Sequence, residues 1–285
     1  MYKLLFIAVL LTGCEKMSIR QFNAQNKTTT STTIGGTPLY IIAGQSNCGR
    51  ARVSEMTGGE SAVYAPAVTN AYMLNRYRYA FNGVVNFEAF DAGTNTMLQN
   101  ALYTDEFGPE ASLAYELQNY QSKARYYIKL GAGNTDLPTW WLPPSSVAWT
   151  QLLQIIEEGL NDAGLPGNIK LHAFIWMQGE NDATDLTWSN NYLSNLTSFF
   201  DGFRDYWVND NGRNSDYKIV IGRIQDINAG YEEIVRAAQD SFCGNGANNA
   251  ILINTDAYTR KDYIHYDATS QIQFGIDIFN QVKDL

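Results

Sequence analysis

The sequence predicts an α/β protein with three layers, α/β/α, in which helices cover both faces of a mostly parallel central sheet. From residue 38 onward, short strand-like segments alternate with longer helical ones, an order that produces parallel strands joined by right-handed crossovers. Several strand segments are almost continuously apolar, as expected of strands covered on both faces. Polar segments follow several strands, at the sheet edge where such folds collect their functional groups.

The predicted elements follow in chain order. The strand segments are 39–44 "LYIIAG", 71–75 "AYMLN", 125–130 "RYYIKL", 169–177 "IKLHAFIWM", 217–224 "YKIVIGRI" and 250–254 "AILIN". The helical segments are 108–121, 147–163, 188–206, 231–241 and 269–282. Pro109 near the start of the first helix and Gly164 after the second are typical of helix beginnings and ends.

The composition is that of a globular protein. The chain has 285 residues, of which 45% are hydrophobic and 17% charged, enough to bury one sizeable core or two small ones. Its formal net charge of −9 disfavours non-specific binding to nucleic acid or to an anionic membrane surface. We therefore expect no nucleic-acid partner, while the oligomeric state stays open.

The first fourteen residues, "MYKLLFIAVLLTGC", differ from the rest. Their apolar run, Leu4 to Leu11, is too short to span a bilayer as a helix and is typical of a signal-peptide core. The ending resembles a bacterial lipoprotein signal, in which cleavage precedes a lipidated cysteine, here Cys14. An ordinary secretory signal is the alternative. Both predict an exported protein, and the lipoprotein signal predicts one attached to the periplasmic or cell-surface side of a membrane only through its lipid anchor.

Residues 15–36 are polar and show no hydrophobic period, so we interpret them as a flexible tether to a domain spanning 37–285. Within that domain, Cys48 and Cys243 form either a disulfide or two free thiols. The cysteine spacing, together with only two histidines, does not suggest a metal site. We expect no metal and no other cofactor.

Serine hydrolysis requires a nucleophile, an imidazole base, a carboxylate that orients it and donors for the oxyanion. Ser46, in "GQSN" (44–47), directly follows the first predicted strand. His265 lies in a polar loop before the last helix, and Asp262 stands three residues earlier, which lets its carboxylate fold back onto Nδ1. His172 falls inside a buried strand, where we expect a core histidine.

Two further segments supply candidate oxyanion donors. The segment "QGEND" (178–182) ends an apolar strand, where the side-chain amide of Asn181 can point an N–H group at a developing negative charge. Gly133 follows another strand, where its backbone N–H can approach a ligand closely. A helix-capping turn and a simple loop glycine are the alternative interpretations.

Taken together, these segments resemble the SGNH hydrolases. "GQSN", Gly133, "GEND" (179–182) and "DYIH" (262–265) occur in the order and approximate places seen in that superfamily. The chain is most similar to its sialate O-acetylesterase and acetylxylan-esterase branch, through "GQSN", "WMQGENDA", "GPEASLAYEL", "VRAAQ" and "HYDATSQIQFG". The resemblance covers about residues 38–285 and implies the flavodoxin-like SGNH hydrolase fold.

The resemblance also implies a function, a carbohydrate O-acetylesterase that acts on a glycan or sialic acid through an acetyl-serine intermediate. In this family Ser46 would be the nucleophile, His265 the base and Asp262 its orienting carboxylate. The backbone N–H groups of Ser46 and Gly133 and the side chain of Asn181 would form the oxyanion hole. The candidate substrate contacts are Gln45, Asn47, Gln178, Glu180, Trp140 and Trp141, with loop packing as the alternative for the two tryptophans in "PTWWLPP" (138–144).

Two other functions stay open at this stage. One is a non-catalytic glycan-binding surface lipoprotein, which would be indicated by a missing triad residue. The other is a lipase or thioesterase of the same superfamily, which would prefer long acyl chains.

Overall fold

The fold is built on one seven-stranded sheet. The computed structural model describes residues 36–75, 86–98, 105–165 and 167–285, which belong to a single unit, Thr33–Leu285. The predicted signal peptide with Cys14, and the predicted tether up to residue 35, lie outside the described residues and stay predictions.

The sheet is mostly parallel. The strands are β1 (Thr37–Gly44), β2 (Ala51–Arg52), β3 (Ala71–Asn75), β4 (Glu88–Ala89), β5 (Glu106–Phe107), β6 (Arg125–Gly131), β7 (Ile169–Met177), β8 (Lys218–Gly222) and β9 (Ala250–Ile253). Seven of them lie in the order β4-β3-β6-β1-β7-β8-β9, while β2 and β5 form a separate ribbon. Only β4 runs antiparallel to its neighbour in the described sheet, which confirms the predicted architecture.

Helices cover both faces of this sheet. They are α1 (Gly58–Tyr64), α2 (Glu110–Tyr120), α3 (Leu137–Trp140), α4 (Val147–Asp162), α5 (Leu186–Arg204), α6 (Glu232–Gly244) and α7 (Ala268–Val282). On one face, Trp176 of β7 packs on Phe199 of α5, with ring centroids 4.6 Å apart. The next residue, Met177, points to the opposite face and meets Phe274 of α7 around Gly222. Within the described ranges, no helix combines the length and apolar character that a bilayer span requires.

The boundaries differ from the predicted ones where side chains replace strand pairing. The segment predicted as a strand over 217–224 forms strand pairs only from Lys218 to Gly222, because farther along Ile224 donates its N–H to the Gln239 side chain instead (3.0 Å). The unpredicted α1 is capped by Thr57, whose hydroxyl accepts from the Glu60 N–H (3.3 Å). The sequence "TGGE" carries this capping signal.

Cys48 and Cys243 are free thiols in the structure, and burial raises the pKa of each to about 12. Of the two alternatives, the structure therefore shows free thiols. His172 is buried in β7, as predicted. Burial, followed by the nearby lysine and arginine charges, lowers its pKa to about 4, so this histidine is neutral at physiological pH.

Candidate active site

The central strand β1 delivers the nucleophile segment to the carboxyl edge of the sheet. Gly44, its last residue, has φ +140°, and a Cβ there would lie 2.0 Å from the Met177 carbonyl oxygen. The Gly44 carbonyl accepts from the Ala132 N–H and the Gln45 N–H donates to the Met177 carbonyl, both at 2.9 Å. The chain leaving β1 is thus held between the ends of β6 and β7.

Ser46 begins a 3₁₀ turn, Ser46–Cys48, directly after this strand end. Cys48 donates its N–H to the Gln45 carbonyl (3.0 Å) and Gly49 donates to the Ser46 carbonyl (3.1 Å). The Ser46 residue is only 4% exposed. The structure therefore places the predicted nucleophile in an ordered, nearly enclosed turn at the edge where active sites of parallel sheets form.

Asp262 and His265 form a pair in the loop that precedes α7. One carboxylate oxygen of Asp262 lies 2.8 Å from His265 Nδ1. The other accepts the backbone N–H groups of Ile264 (2.9 Å) and His265 (2.7 Å). Burial alone would raise the pKa of Asp262, but these hydrogen bonds outweigh it and lower the pKa to about 2. The carboxylate is therefore ionised at neutral pH and holds the imidazole by Nδ1.

The loop that carries this pair is closed by its own backbone. Arg260 and Tyr266 form an isolated antiparallel bridge, and the Lys261 N–H donates to the His265 carbonyl (2.9 Å). The Arg260 guanidinium also donates to the Tyr263 carbonyl (3.0 Å). We refer to residues 260–266 as the histidine turn.

Asn47 joins the nucleophile segment to the histidine turn. Its side-chain Nδ2 donates to the Ile264 carbonyl (3.0 Å), and its Oδ1 accepts from the Tyr266 N–H (3.1 Å). These two contacts lie on either side of His265, and Asn47 directly follows Ser46. The structure thus brings the backbones of the predicted nucleophile and base together. Among the described residues no hydrogen bond joins the Ser46 hydroxyl to His265, a contact that in unliganded enzymes often tightens only with substrate.

Gln45 attaches the predicted oxyanion segment (178–182) to the turn that carries Ser46. The Gln45 side-chain oxygen accepts from the backbone N–H groups of Gly179 and Asn181, both at 3.3 Å. Gly179 has φ +136°, a conformation that favours glycine. Asn181 is half-buried, and its side-chain amide donates no hydrogen bond within the described part of the chain. That amide is therefore available to a ligand.

Gly133 lies across the turn that carries Ser46 from the 178–182 segment. It follows Ala132, whose N–H is bonded to Gly44 (2.9 Å), and it is half-buried. The next residue, Asn134, has φ +57°, which turns the chain sharply at this point. The two predicted oxyanion segments therefore flank the segment that carries Ser46, one at the end of β6 and one at the end of β7.

Four candidate substrate contacts serve a different role. Gln45, Asn47, Gln178 and Glu180 are at most 1% exposed, and each side chain forms at least one hydrogen bond to another protein group. The Asn47 amide donates to Glu180 (2.7 Å), and Gln178 donates to Asp182 (2.6 Å). We correct the expectation accordingly, because these side chains hold the site segments together from within and are not open to substrate.

The two adjacent tryptophans differ in position. Trp140 is 38% exposed, whereas Trp141 is fully buried. The Trp141 indole N–H donates to the Thr135 hydroxyl (3.0 Å), and its ring packs edge-on against Trp176, with centroids 4.9 Å apart. Of the two interpretations of Trp141, substrate contact and loop packing, the structure shows packing. Trp140 stays a candidate.

A cavity of about 320 Å³ opens beside His265 and Asp262, in the size range of small-ligand sites. Its other walls include residues of the charged segment "RARVSE" (50–55), which directly follows the turn that carries Ser46 and was not among the predicted site residues, although its charge was a usable signal. Lys261 bridges the two sides, since its Nζ contacts Glu55 (2.9 Å) and donates to the Arg50 carbonyl (2.7 Å). Among the described residues, no group of three His, Cys, Asp or Glu side chains is arranged to hold a metal ion.

This fold and site define an α/β esterase, and comparison with known proteins agrees. Residues 36–284 match the family described as carbohydrate esterase, sialic acid-specific acetylesterase. The chain belongs to this family, which confirms the resemblance that its sequence blocks indicated. None of the curated proteins compared with the chain matches it.

Solved structures share the fold at low sequence identity. A protein from Arabidopsis thaliana has a TM-score of 0.68 at 17% identity, over 87% of this chain and 98% of that chain. NanS has a TM-score of 0.61 at 11% identity, over 87% and 100% of the two chains. A carbohydrate acetylesterase from Xanthomonas citri has a TM-score of 0.57 at 15% identity, over 86% of this chain and 56% of that one.

Proposed function

We propose that this carbohydrate esterase removes acetyl groups from a glycan or sialic acid by a Ser-His-Asp mechanism. The observation that carries the proposal is the contact between Asn47 and the histidine turn. Asn47 binds the two residues that flank His265 and directly follows Ser46, so the backbone segments that carry the hydroxyl, the imidazole and the ionised carboxylate are joined by hydrogen bonds.

In this mechanism His265 accepts the Ser46 hydroxyl proton on Nε2 while Oγ attacks the acetyl carbonyl carbon. The carbonyl π electrons move onto the oxygen, which receives hydrogen bonds from the backbone N–H groups of Ser46 and Gly133 and from the Asn181 amide. The C–O bond to the sugar then breaks, and His265 returns its proton to the departing sugar oxygen. The products of this half-reaction are acetyl-Ser46 and a free sugar hydroxyl.

Water completes the cycle in the reverse sense. His265 takes a proton from the water, whose oxygen attacks the acetyl carbon, and the Ser46 oxygen leaves and is reprotonated. Acetate is released. Asp262 keeps Nδ1–H pointed at itself throughout, and its pKa of about 2 means that it stays ionised while the imidazolium forms and decays.

Acetate release from acetylated xylan, acetylated sialic acids and acetylated peptidoglycan tests the proposal. We expect release from at least one of them by the wild type and a loss of about 10⁴-fold or more in Ser46→Ala. Equal turnover of an aryl acetate by both proteins would contradict the mechanism and favour the glycan-binding alternative. A rate that rises with acyl-chain length would favour the lipase or thioesterase alternative.

We also propose that the protein is an exported lipoprotein anchored through Cys14, which the "MYKLLFIAVLLTGC" segment supports. Expressed in bacteria, the full chain should incorporate a labelled fatty acid and sediment with membranes, whereas Cys14→Ser should do neither. An unlabelled wild-type protein released in soluble form would overturn this proposal without affecting the esterase mechanism.

A further inference from the structure

An exposed aromatic side chain stands inside the histidine turn. Tyr263 lies between Asp262 and His265 in the chain and is 77% exposed, the largest value among the large hydrophobic side chains that the structure describes. Single exposed hydrophobic residues are common on protein surfaces. Tyr263 differs from these because it is one residue from the orienting carboxylate and two from the base.

The backbone that carries this ring is well held. The carboxylate of Asp262 accepts from the N–H groups of Ile264 and His265 (2.9 and 2.7 Å), and the Arg260 guanidinium donates to the Tyr263 carbonyl (3.0 Å). A residue fixed in this way loses little backbone entropy when a ligand binds. An exposed ring on a fixed backbone is therefore a preformed surface for binding a ligand.

Polar cavities adjoin the turn. The 320 Å³ cavity beside the catalytic pair includes Lys261. A second cavity of about 310 Å³ includes the preceding residue, Arg260, with Gln225, Asp226, Arg236, Asp256 and Tyr258. The turn that bears Tyr263 thus contributes neighbouring residues to both. Charged and amide walls suit the hydroxyl groups of sugars, whereas the C–H faces of sugar rings pack on aromatic rings.

We propose that Tyr263 is a stacking platform for a sugar ring and that the preferred substrate is an acetylated oligosaccharide rather than a free acetylated monosaccharide. The inference rests on the proposed esterase function. The acetylated unit occupies the cavity beside His265, and a neighbouring unit of the same chain packs on Tyr263. Tyr263 is a specificity-determining residue and takes no part in the chemical step.

The test compares kcat/KM for acetylated oligosaccharides with kcat/KM for 4-nitrophenyl acetate, which has no sugar to stack. The oligosaccharides are prepared from xylan, chitosan and sialylated glycans, and the best-hydrolysed series is used together with its acetylated monosaccharide. The variants are Tyr263→Ala, Tyr263→Phe and, as control, Tyr120→Ala. Tyr120 is 54% exposed but ends α2, just before the amino end of β6 and so at the opposite edge of the sheet.

We expect Tyr263→Ala to lower the oligosaccharide to aryl-acetate ratio of kcat/KM about tenfold, chiefly through KM. Tyr263→Phe should restore it, since stacking needs only the ring, and Tyr120→Ala should leave it unchanged. A ratio within twofold of wild type in Tyr263→Ala, or equal wild-type kcat/KM for oligosaccharide and monosaccharide, would overturn the inference. Absence of Ser46-dependent turnover of any ester would instead overturn the proposed function.

Discussion

The Asp262 carboxylate satisfies three N–H donors with two oxygens, all from residues 264 and 265. The same carboxylate thus fixes the backbone of the histidine turn and orients the imidazole. The pKa of about 2 reflects those hydrogen bonds, which offset the cost of burial. A neutral side chain of the same shape tests how far the site depends on this arrangement.

Asp262→Asn should lower kcat about 10³–10⁴-fold while the protein stays folded. The two backbone N–H donors retain the amide oxygen, so its NH₂ group faces Nδ1 and donates to it, which holds the imidazole in the wrong tautomer. Steady-state hydrolysis of an aryl acetate measures the effect. Asp201→Asn is the matched control, because Asp201 is an exposed partner of Arg204 on α5. Wild-type turnover in Asp262→Asn would remove this carboxylate from the mechanism.

Asn181→Ala should retain folding and lose about 10²–10³ in kcat, the usual cost of one side-chain oxyanion donor. The Asn181 backbone N–H, which binds Gln45, is kept in the variant, so its loop stays in place. Asn191→Ala on the exposed side of α5 controls for the loss of an amide, because its side chain only donates back to the Thr187 carbonyl. Unchanged kcat in Asn181→Ala would exclude a catalytic contribution from this amide.

At the scale of elements, long apolar strands and amphipathic helices were predictable and the short ones were not. β1 and β7 are almost continuously apolar because helices cover both faces, and the sequence shows this directly. β2, β4 and β5 have two residues each, too few to show a period. Sequence also does not determine which of two adjacent tryptophans enters the core. Trp141 does because its N–H finds the Thr135 hydroxyl there.

The candidate site was open to prediction to a similar degree. Ser46, Asp262 and His265 could be selected from residue type and position after the strands, because few residues carry such chemistry. The inward direction of the Gln45 and Glu180 side chains could not be predicted, since a polar side chain at a strand end can face solvent or its neighbouring segments. Their direction is set by the packing of the segments after β1 and β7 against each other.

Gly44→Ala should destabilise the protein by at least about 2 kcal/mol and reduce activity further. The new Cβ would meet the Met177 carbonyl oxygen at 2.0 Å in a backbone conformation that L-residues avoid, so the ends of β1 and β7 must separate. Urea unfolding measures the loss. Gly59→Ala in α1 is the control, because no atom lies within 4 Å of the added Cβ. Equal midpoints for the two variants would contradict the proposed strain.

At the scale of the whole molecule, the protein keeps two acidic groups buried beneath its site. Asp182 accepts from the Leu137 N–H and the Gln178 amide, and Glu180 accepts from Asn47. Burial nevertheless dominates and raises the pKa of Asp182 to about 7 and that of Glu180 to about 6. The arrangement of the site therefore costs stability at neutral pH, as is common for functional sites.

The pH dependence of unfolding should show this cost for Asp182. Its folded-state pKa lies above the unfolded value of 3.8, so the native state binds the extra proton and stability falls as the pH rises from about 4 to about 7. Asp182→Asn lacks this contribution. In urea unfolding, wild type should lose stability relative to Asp182→Asn across this interval and show no further relative change above it. A constant difference would contradict the raised pKa.

The contact between Asn47 and the histidine turn has a consequence for when the protein becomes reactive. Asn47 and Tyr266 are 219 positions apart, so in the proposed mechanism Ser46 leaves the ribosome long before His265, the base that would activate it. A partly synthesised or truncated chain carries an ordinary, inert hydroxyl. Under this mechanism, recovery of simple-ester hydrolysis during refolding would time the docking of the histidine turn onto the segment that follows β1.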